Sequence, residues 1–186
     1  EPRTVAPDGT AVFCRYDELV MVSRLRPNPG NPNMHSKEQV ELLGKIIKTA
    51  GWRAPITVSK RSGLITKGHG RRLAAMRAGI MYAPVEYQDY ASEEEEHADL
   101  LADNRIAELA SMDEDKLTAM LKQMQEENGD FDMDLTGYDE AALAELLDDD
   151  TTEGSTKDSE VPESEGSVFS KRGDIWFLGR HRLMCG

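Results

Sequence analysis

The chain has 186 residues and a net charge of −13, enough for one ordinary domain with appendages and with no apolar run long enough to span a bilayer. Its two cysteines, Cys14 and Cys185, stand far apart in no metal-ligand spacing, so a reducing cytoplasm is the expected location. Residues 1–90 carry 14 Lys/Arg against 8 Asp/Glu and residues 91–186 carry 8 against 27, so a basic half suited to phosphate precedes an acidic half that repels DNA.

Glu1-Pro2-Arg3 leads into polar sequence instead of the apolar core of a signal peptide, and the missing initiator methionine is expected of a processed or trimmed chain. Residues 12–22 hold strand-like apolar stretches, and the Pro/Asn/Gly-rich stretch 26–33 is a loop. Ser36 to Gln39 reads as a capping box. Val40, Leu43, Ile46, Ile47 and Ala50 follow at helical spacing, with Gly51 as the stop. Residues 55–59 form a strand, 60–63 a turn, and 64–66 an antiparallel return. After a glycine loop the spacing predicts a helix from Arg71 to Ala78, closed by Gly79. Residues 83–87 read as a further strand, biased to a sheet edge by Pro84.

From Ser92 the pattern is helical. Ser92 with Glu95 and Ser111 with Glu114 read as capping boxes, the second heading a stripe of Leu117, Met120, Leu121 and Met124 that belongs to helix packing. The run Glu93 to Glu96 complements the helix dipole. Asp139 opens a short helix containing Leu143, Leu146 and Leu147. Residues 148–166 are acidic and nearly without large apolar groups, as expected of a disordered linker. Residues 175–178 and 181–185 then pattern as a hairpin, the first piece of another domain.

The densest chemistry lies in Lys67-Gly68-His69-Gly70-Arg71-Arg72. Glycines expose backbone N–H groups, and a helix N-terminus favours an anion. Cations in that first turn oppose the dipole unless an anion sits between them. The plain alternative is a strand-to-helix turn whose arginines face solvent. His69 could touch phosphate or transfer a proton. Asp103-Asn104, placed where a helix is expected to end, suits either a magnesium ion shared with phosphate or a helix cap. His35, His97 and His181 are scattered and read as solvated or structural, and nothing beside Cys14 would activate its thiol.

This order of motifs resembles the ParB/sulfiredoxin superfamily over about residues 17–106. The matching features are Asn28-Pro29-Gly30-Asn31-Pro32, a capped helix, the Pro55–Val58 strand, Ile65–Arg71, a helix, then Pro84-Val85. Relatives carry Gly-Glu-Arg-Arg where this chain has Gly68-His69-Gly70-Arg71, and a Glu-Asn pair that Asp103-Asn104 resembles. The resemblance implies CTP or ATP binding with Mg²⁺, coupled in that family to DNA clamping and slow hydrolysis. A sulfiredoxin cysteine position is occupied here by His69.

A narrower resemblance is to phage and bacterial DNA methyltransferases that begin with a ParB-like domain. These carry a Gly-His-Gly-Arg loop, a Leu-Ala-Asp-Asn segment as at 101–104, and a Leu-Thr-Gly-Tyr-Asp segment as at 135–139. Residues 173–186 resemble the opening of an N4-cytosine/N6-adenine methyltransferase domain. S-adenosylmethionine would be a cofactor of that downstream domain alone. The expected class is α+β, a small mixed sheet with packed helices followed by a helical subdomain. Expected boundaries are a core at 11–90, a helical extension at 91–147, a linker at 148–166 and the methyltransferase start at 167–186. Lys67, Gly68, His69, Gly70, Arg71, Arg72 and Asn104 would hold nucleotide phosphate, Asp103 and Asn104 magnesium, with His69 the candidate acid/base. Expected partners are DNA, nucleotide, the downstream domain and a second copy, with no membrane. The alternatives are a nucleotide-dependent enzyme on the same fold (an NTPase, kinase or metal-dependent nuclease) and a helical dimerisation module.

Overall fold

The computed structural model describes residues 1–127, 129–138, 140–148, 171–179 and 181–185. One compact unit runs from Glu1 to Asp148 and a second from Asp149 to Gly186. In the first, strands β1 (Thr4–Val5) and β2 (Ala11–Val12) form a small hairpin. Strands β3 (Glu18–Met21), β4 (Ile56–Ser59), β5 (Ile65–Lys67) and β6 (Tyr82–Gln88) form a mixed sheet in the order β3-β6-β4-β5. Helices α1 (Lys37–Ala50) and α2 (His69–Ala78) pack on it, and α3 (Glu93–Leu109), α4 (Glu114–Glu127) and α5 (Glu140–Asp148) follow. This is the α+β arrangement expected, with a parallel β4–β6 pair among antiparallel ones.

Strand β6 lies inside the sheet and not at its edge, contrary to the reading of Pro84. The register explains the tolerance. Pairing with β4 begins at Ile56 opposite Val85, so Pro84 stands one residue before that ladder starts, and its missing N–H costs no bond there. The core between sheet and helices is dry: Val12, Trp52, Ile56, Ile65, Ala74, Ala75, Ala83 and Val85 have no exposed surface. Burying one Val- or Ile-sized side chain is worth roughly 1.5–3 kcal/mol, so this cluster dominates the stability of the unit. Residues before 11 take part in it, since Ala6 is buried and the Asp8 carboxylate accepts from the Met81 and Tyr82 amides at 2.7 and 3.0 Å.

The caps follow the sequence at two helices and depart from it at two. Ser36 accepts from the Gln39 amide, Ser92 from the Glu95 amide, and Gly51 closes α1. Helix α2 starts at His69, two residues earlier than expected, because Gly68 adopts a left-handed conformation (φ 93°) and serves as its N-cap. Helix α4 is capped by Asp113 and not by Ser111: the Asp113 carboxylate accepts from the Lys116 amide at 3.1 Å. Of the stripe on α4, Leu121 is buried, whereas Met120 is exposed. Asp139 and residues 149–170, including most of the expected linker, lie outside the described residues. In the second unit β7 (Ile175–Leu178) pairs antiparallel with β8 (His181–Met184), the hairpin anticipated from the pattern.

Candidate anion site at the β5–α2 corner

The corner is built where β5 passes directly into α2. Gly68 is required twice over: its φ of 93° is a glycine conformation, and a Cβ there would lie 3.0 Å from the Arg71 guanidinium, which folds back across it. His69 and Gly70 therefore form the first turn of α2 and are not a loop ahead of it. Gly70 is buried beneath His35, whose ring would stand 2.9 Å from any Cβ at that position. The five sequence-predicted residues Lys67 to Arg71 thus converge on one helix N-terminus, where backbone N–H groups and the positive dipole end favour an anion.

The side chains of this corner differ sharply in what they are free to do. Arg71 is half-buried, and its Nε is buried with no hydrogen-bond partner among the described residues. Burial lowers its pKa, an effect that the Asp103 carboxylate and the Cys14 sulfur partly offset. Arg72 points elsewhere: its Nε donates to the Leu25 carbonyl at 2.9 Å and so braces the segment entering the loop. His69 accepts the Asn28 amide N–H on Nε2 at 3.1 Å. That contact places the ring proton on Nδ1, and burial, with His35 and Arg72 nearby, holds the imidazole below its ordinary pKa.

Helix α3 closes the corner from the other side. Asp103 and Asn104 sit well inside it, eleven and twelve residues into a helix ending at Leu109, so neither is a helix cap. Lys67 Nζ lies 3.0 Å from Asp99 and 3.8 Å from Asp103. Asn104 accepts from Asn33 Nδ2 at 3.0 Å and donates to Asn31 at 3.5 Å, tying α3 to the 26–33 loop. Asn28, 6% exposed, accepts the Gly30 amide on Oδ1, which fixes its orientation and leaves Nδ2 buried and unpartnered. Two buried donors of this corner, Arg71 Nε and Asn28 Nδ2, are therefore without a partner among the described residues.

Several contributors escaped the sequence reading. Asn28, Asn31 and Asn33 were legible as turn formers, and no local signal gives the tertiary partners of their side-chain amides. Asp99 and Tyr90 were not singled out. Burial pushes the Asp99 carboxyl up, but the Tyr90 hydroxyl, donating at 2.7 Å, and the Lys67 ammonium outweigh it and leave the pKa lowered. Burial and the same carboxylate push Tyr90 up to about 12. Glu96, read as a dipole partner, is 1% exposed. It accepts from Ser59 at 2.7 Å, Ser62 at 2.6 Å and Arg61 at 3.1 Å, which anchors α3 on the β4–β5 turn.

Residues 115–172 match the ParB-methyltransferase HTH domain family. Over 64 residues, 34% of this chain and 72% of the relative, the sequence is 38% identical to the ParB-like nuclease domain-containing protein YnaK of Escherichia coli strain K12. Among solved structures, the C-terminally truncated chromosome-partitioning protein ParB from Caulobacter crescentus, complexed with CTP-gamma-S, superposes with a TM-score of 0.59. The identity is 20%, over 70% of this chain and 76% of that one, so the likeness is one of fold.

Proposed function

The chain belongs to the ParB-like nuclease domain family, and from that membership we propose that it is a nucleotide- and DNA-associated module whose phosphate site is the β5–α2 corner. The observation that carries this reading is the buried Arg71 Nε, without a hydrogen-bond partner among the described residues, beside the left-handed Gly68. A buried N–H left without a partner costs about 1–3 kcal/mol, which an anion at this corner would offset. Phosphate oxygens at the N-terminus of α2 would accept from Arg71, from the Asn28 side-chain Nδ2 and from the backbone of Gly68 to Gly70. Lys67 would add a point charge. The relative that shares the fold is complexed with CTP-gamma-S, which makes CTP the first ligand to try and ATP the second.

Magnesium fits this corner only in company with phosphate. No group of three His, Cys, Asp or Glu capable of holding a metal occurs among the described residues. Asp103 and the Asn104 amide oxygen could supply part of a shell whose remaining ligands are phosphate oxygens and water. The ion would neutralise phosphate charge there. His69 acts as a positioning residue in this reading, because its acceptor nitrogen already holds the Asn28 amide. That engagement favours binding over turnover. Arg72 supports the site through Leu25 and does not contact the ligand.

DNA contact is assigned to the basic first 90 residues, and the module to the front of a DNA methyltransferase. The description of the family matched at 115–172 and the resemblance of 173–186 to a methyltransferase opening both favour that context. The test is calorimetric titration of CTP and ATP, with and without Mg²⁺, into the wild type, Arg71→Ala and a distant control, Lys116→Ala. Loss of one charge-assisted contact should weaken binding by about 1.5–3 kcal/mol in Arg71→Ala alone. Equal affinity of all three proteins for each nucleotide would remove the corner from the reading.

A further inference from the structure

Helices α4 and α5, with a 3-10 turn (Met133–Thr136) between them, occupy the described part of the helix-turn-helix match. A helix-turn-helix that reads DNA must neutralise phosphates with Lys and Arg before any base contact matters. Residues 111–148 hold two lysines, no arginine and twelve Asp or Glu. Helix α5 carries Glu140, Glu145 and Asp148 and no cation. Lys116 is paired with Asp113. A duplex approaching this face would meet its own sign of charge.

The same face has an apolar hollow. A cavity of about 430 Å³ lies between α4, the turn and α5, floored by Met133, Leu143, Ala144 and Leu147 and rimmed by Gln125, by Asp134, which is already paired with Lys45, and by Glu140. Glu140, Leu143, Ala144 and Leu147 fall at i, i+3, i+4 and i+7, so one side of α5 presents both the floor and a carboxylate. We propose that this helix-turn-helix is a protein-docking groove that takes a cationic amphipathic segment of another polypeptide. An apolar side chain of the partner seats on Met133 and Leu147, above the buried Leu143, while its Lys or Arg meets Glu140. Charge decides among occupants. The chain's own residues 149–170 carry seven Asp or Glu and one lysine, so they are repelled from an acidic rim, and DNA is repelled likewise.

The test uses the whole chain, isotope-labelled, and three probes: a helical Lys/Leu peptide with its leucines on one face, its scrambled counterpart, and a short duplex DNA. The facial peptide should shift the amides of Met133 and residues 143–147 and bind about tenfold more tightly than the scramble. Ala144→Lys, at an exposed position compatible with a helix, should abolish that preference, and Glu140→Gln should weaken it severalfold. Equal binding of the two peptides overturns the proposal. Shifts of these amides by duplex DNA overturn it in favour of DNA reading, and shifts that grow with protein concentration alone overturn it in favour of a second copy. Arg71→Ala should leave peptide binding unchanged, so failure here and failure of the nucleotide site are distinguishable.

Discussion

Residues 1–90 and the helices after them are held together differently. The first region closes over Val12, Trp52, Ile56, Ile65 and Val85, all wholly buried. In residues 91–148 the buried large apolar side chains among the described residues are Leu100, Leu121 and Leu143, while Ile106, Leu109, Met112 and Met120 stand exposed. The helices are attached to the sheet region by polar contacts instead: Glu96 to Ser59, Ser62 and Arg61, Asp99 to Lys67 and Tyr90, Asn104 to Asn33, and Asp132 and Asp134 to Lys45. Apolar burial is insensitive to direction and ionic conditions, whereas hydrogen bonds and ion pairs fix orientation and respond to charge. The sheet region therefore sets stability, and the α3 contacts set where the helices stand.

Removing the largest core side chain should expose that difference most. Trp52→Ala is expected to cost about 3–5 kcal/mol and to lower the denaturant midpoint of the whole first unit. Glu96→Ala should cost less, about 2–3 kcal/mol, because Arg61 stays partly solvated while the two serine hydroxyls lose their acceptor. Its signature should be local: hydrogen exchange quickens along α3 and at residues 59–62 and stays slow in β4 and β6. If Glu96→Ala and Trp52→Ala accelerate exchange in the same amides by the same factor, the two regions are one cooperative body and the comparison fails. Acid sharpens the same point. Burial alone would raise the Glu96 carboxyl, but Ser62, Ser59 and Arg61 leave it below 4.5, and Asp99 is likewise lowered below 3.8. Stability from a lowered carboxylate is present above its unfolded value and is lost as pH falls through the folded one. Helix α3 should then loosen below about pH 4 while the dry core persists, as near-ultraviolet circular dichroism of the buried Trp52 can report.

Much of this was legible in the chain itself. Period-two apolar runs, Ser36 and Ser92 as caps, and glycines at 51 and 79 marked the strands and helices, since those signals are local. Two failures were local, the Gly68 start of α2 and the Asp113 cap of α4, and the others were tertiary. Pro84 argued for an edge because its register against β4 could not be known. The Glu93 to Glu96 run looked uniform, yet one of the four points inward, and only the spacing of Glu96, Leu100, Asp103 and Asn104 along one face hinted at it. The corner residues were found by composition, but their division of labour was not. Arg71 and Arg72 are neighbours of identical chemistry, and α2 turns one toward Gly68 and the other toward Leu25.

The smallest expected effect concerns His69, and it tests whether the corner shares the polar character of the α3 attachment. Burial first, then His35 and Arg72, keep the His69 pKa below 6.5 in the folded protein, and its Nε2 must stay unprotonated to accept the Asn28 amide. A lowered folded value means that the unfolded chain binds the proton first. The contribution of this contact is thus complete above pH 6.5 and declines as pH falls toward the folded value. Glu96 and Asp99 remain ionised through that interval, so the two losses separate along the pH axis. Denaturant midpoints taken at about pH 7.5 and pH 5.5 should fall further in the wild type than in His69→Gln, whose side chain can still accept but cannot titrate. The amides of Asn28, Gly30, Asn31 and Asn33, once exchange is corrected for its intrinsic pH dependence, should lose protection at the lower pH in the wild type alone. An identical pH response in both proteins would mean that the Asn28 loop is held by the asparagine contacts to α3, and that His69 only fills space beneath it.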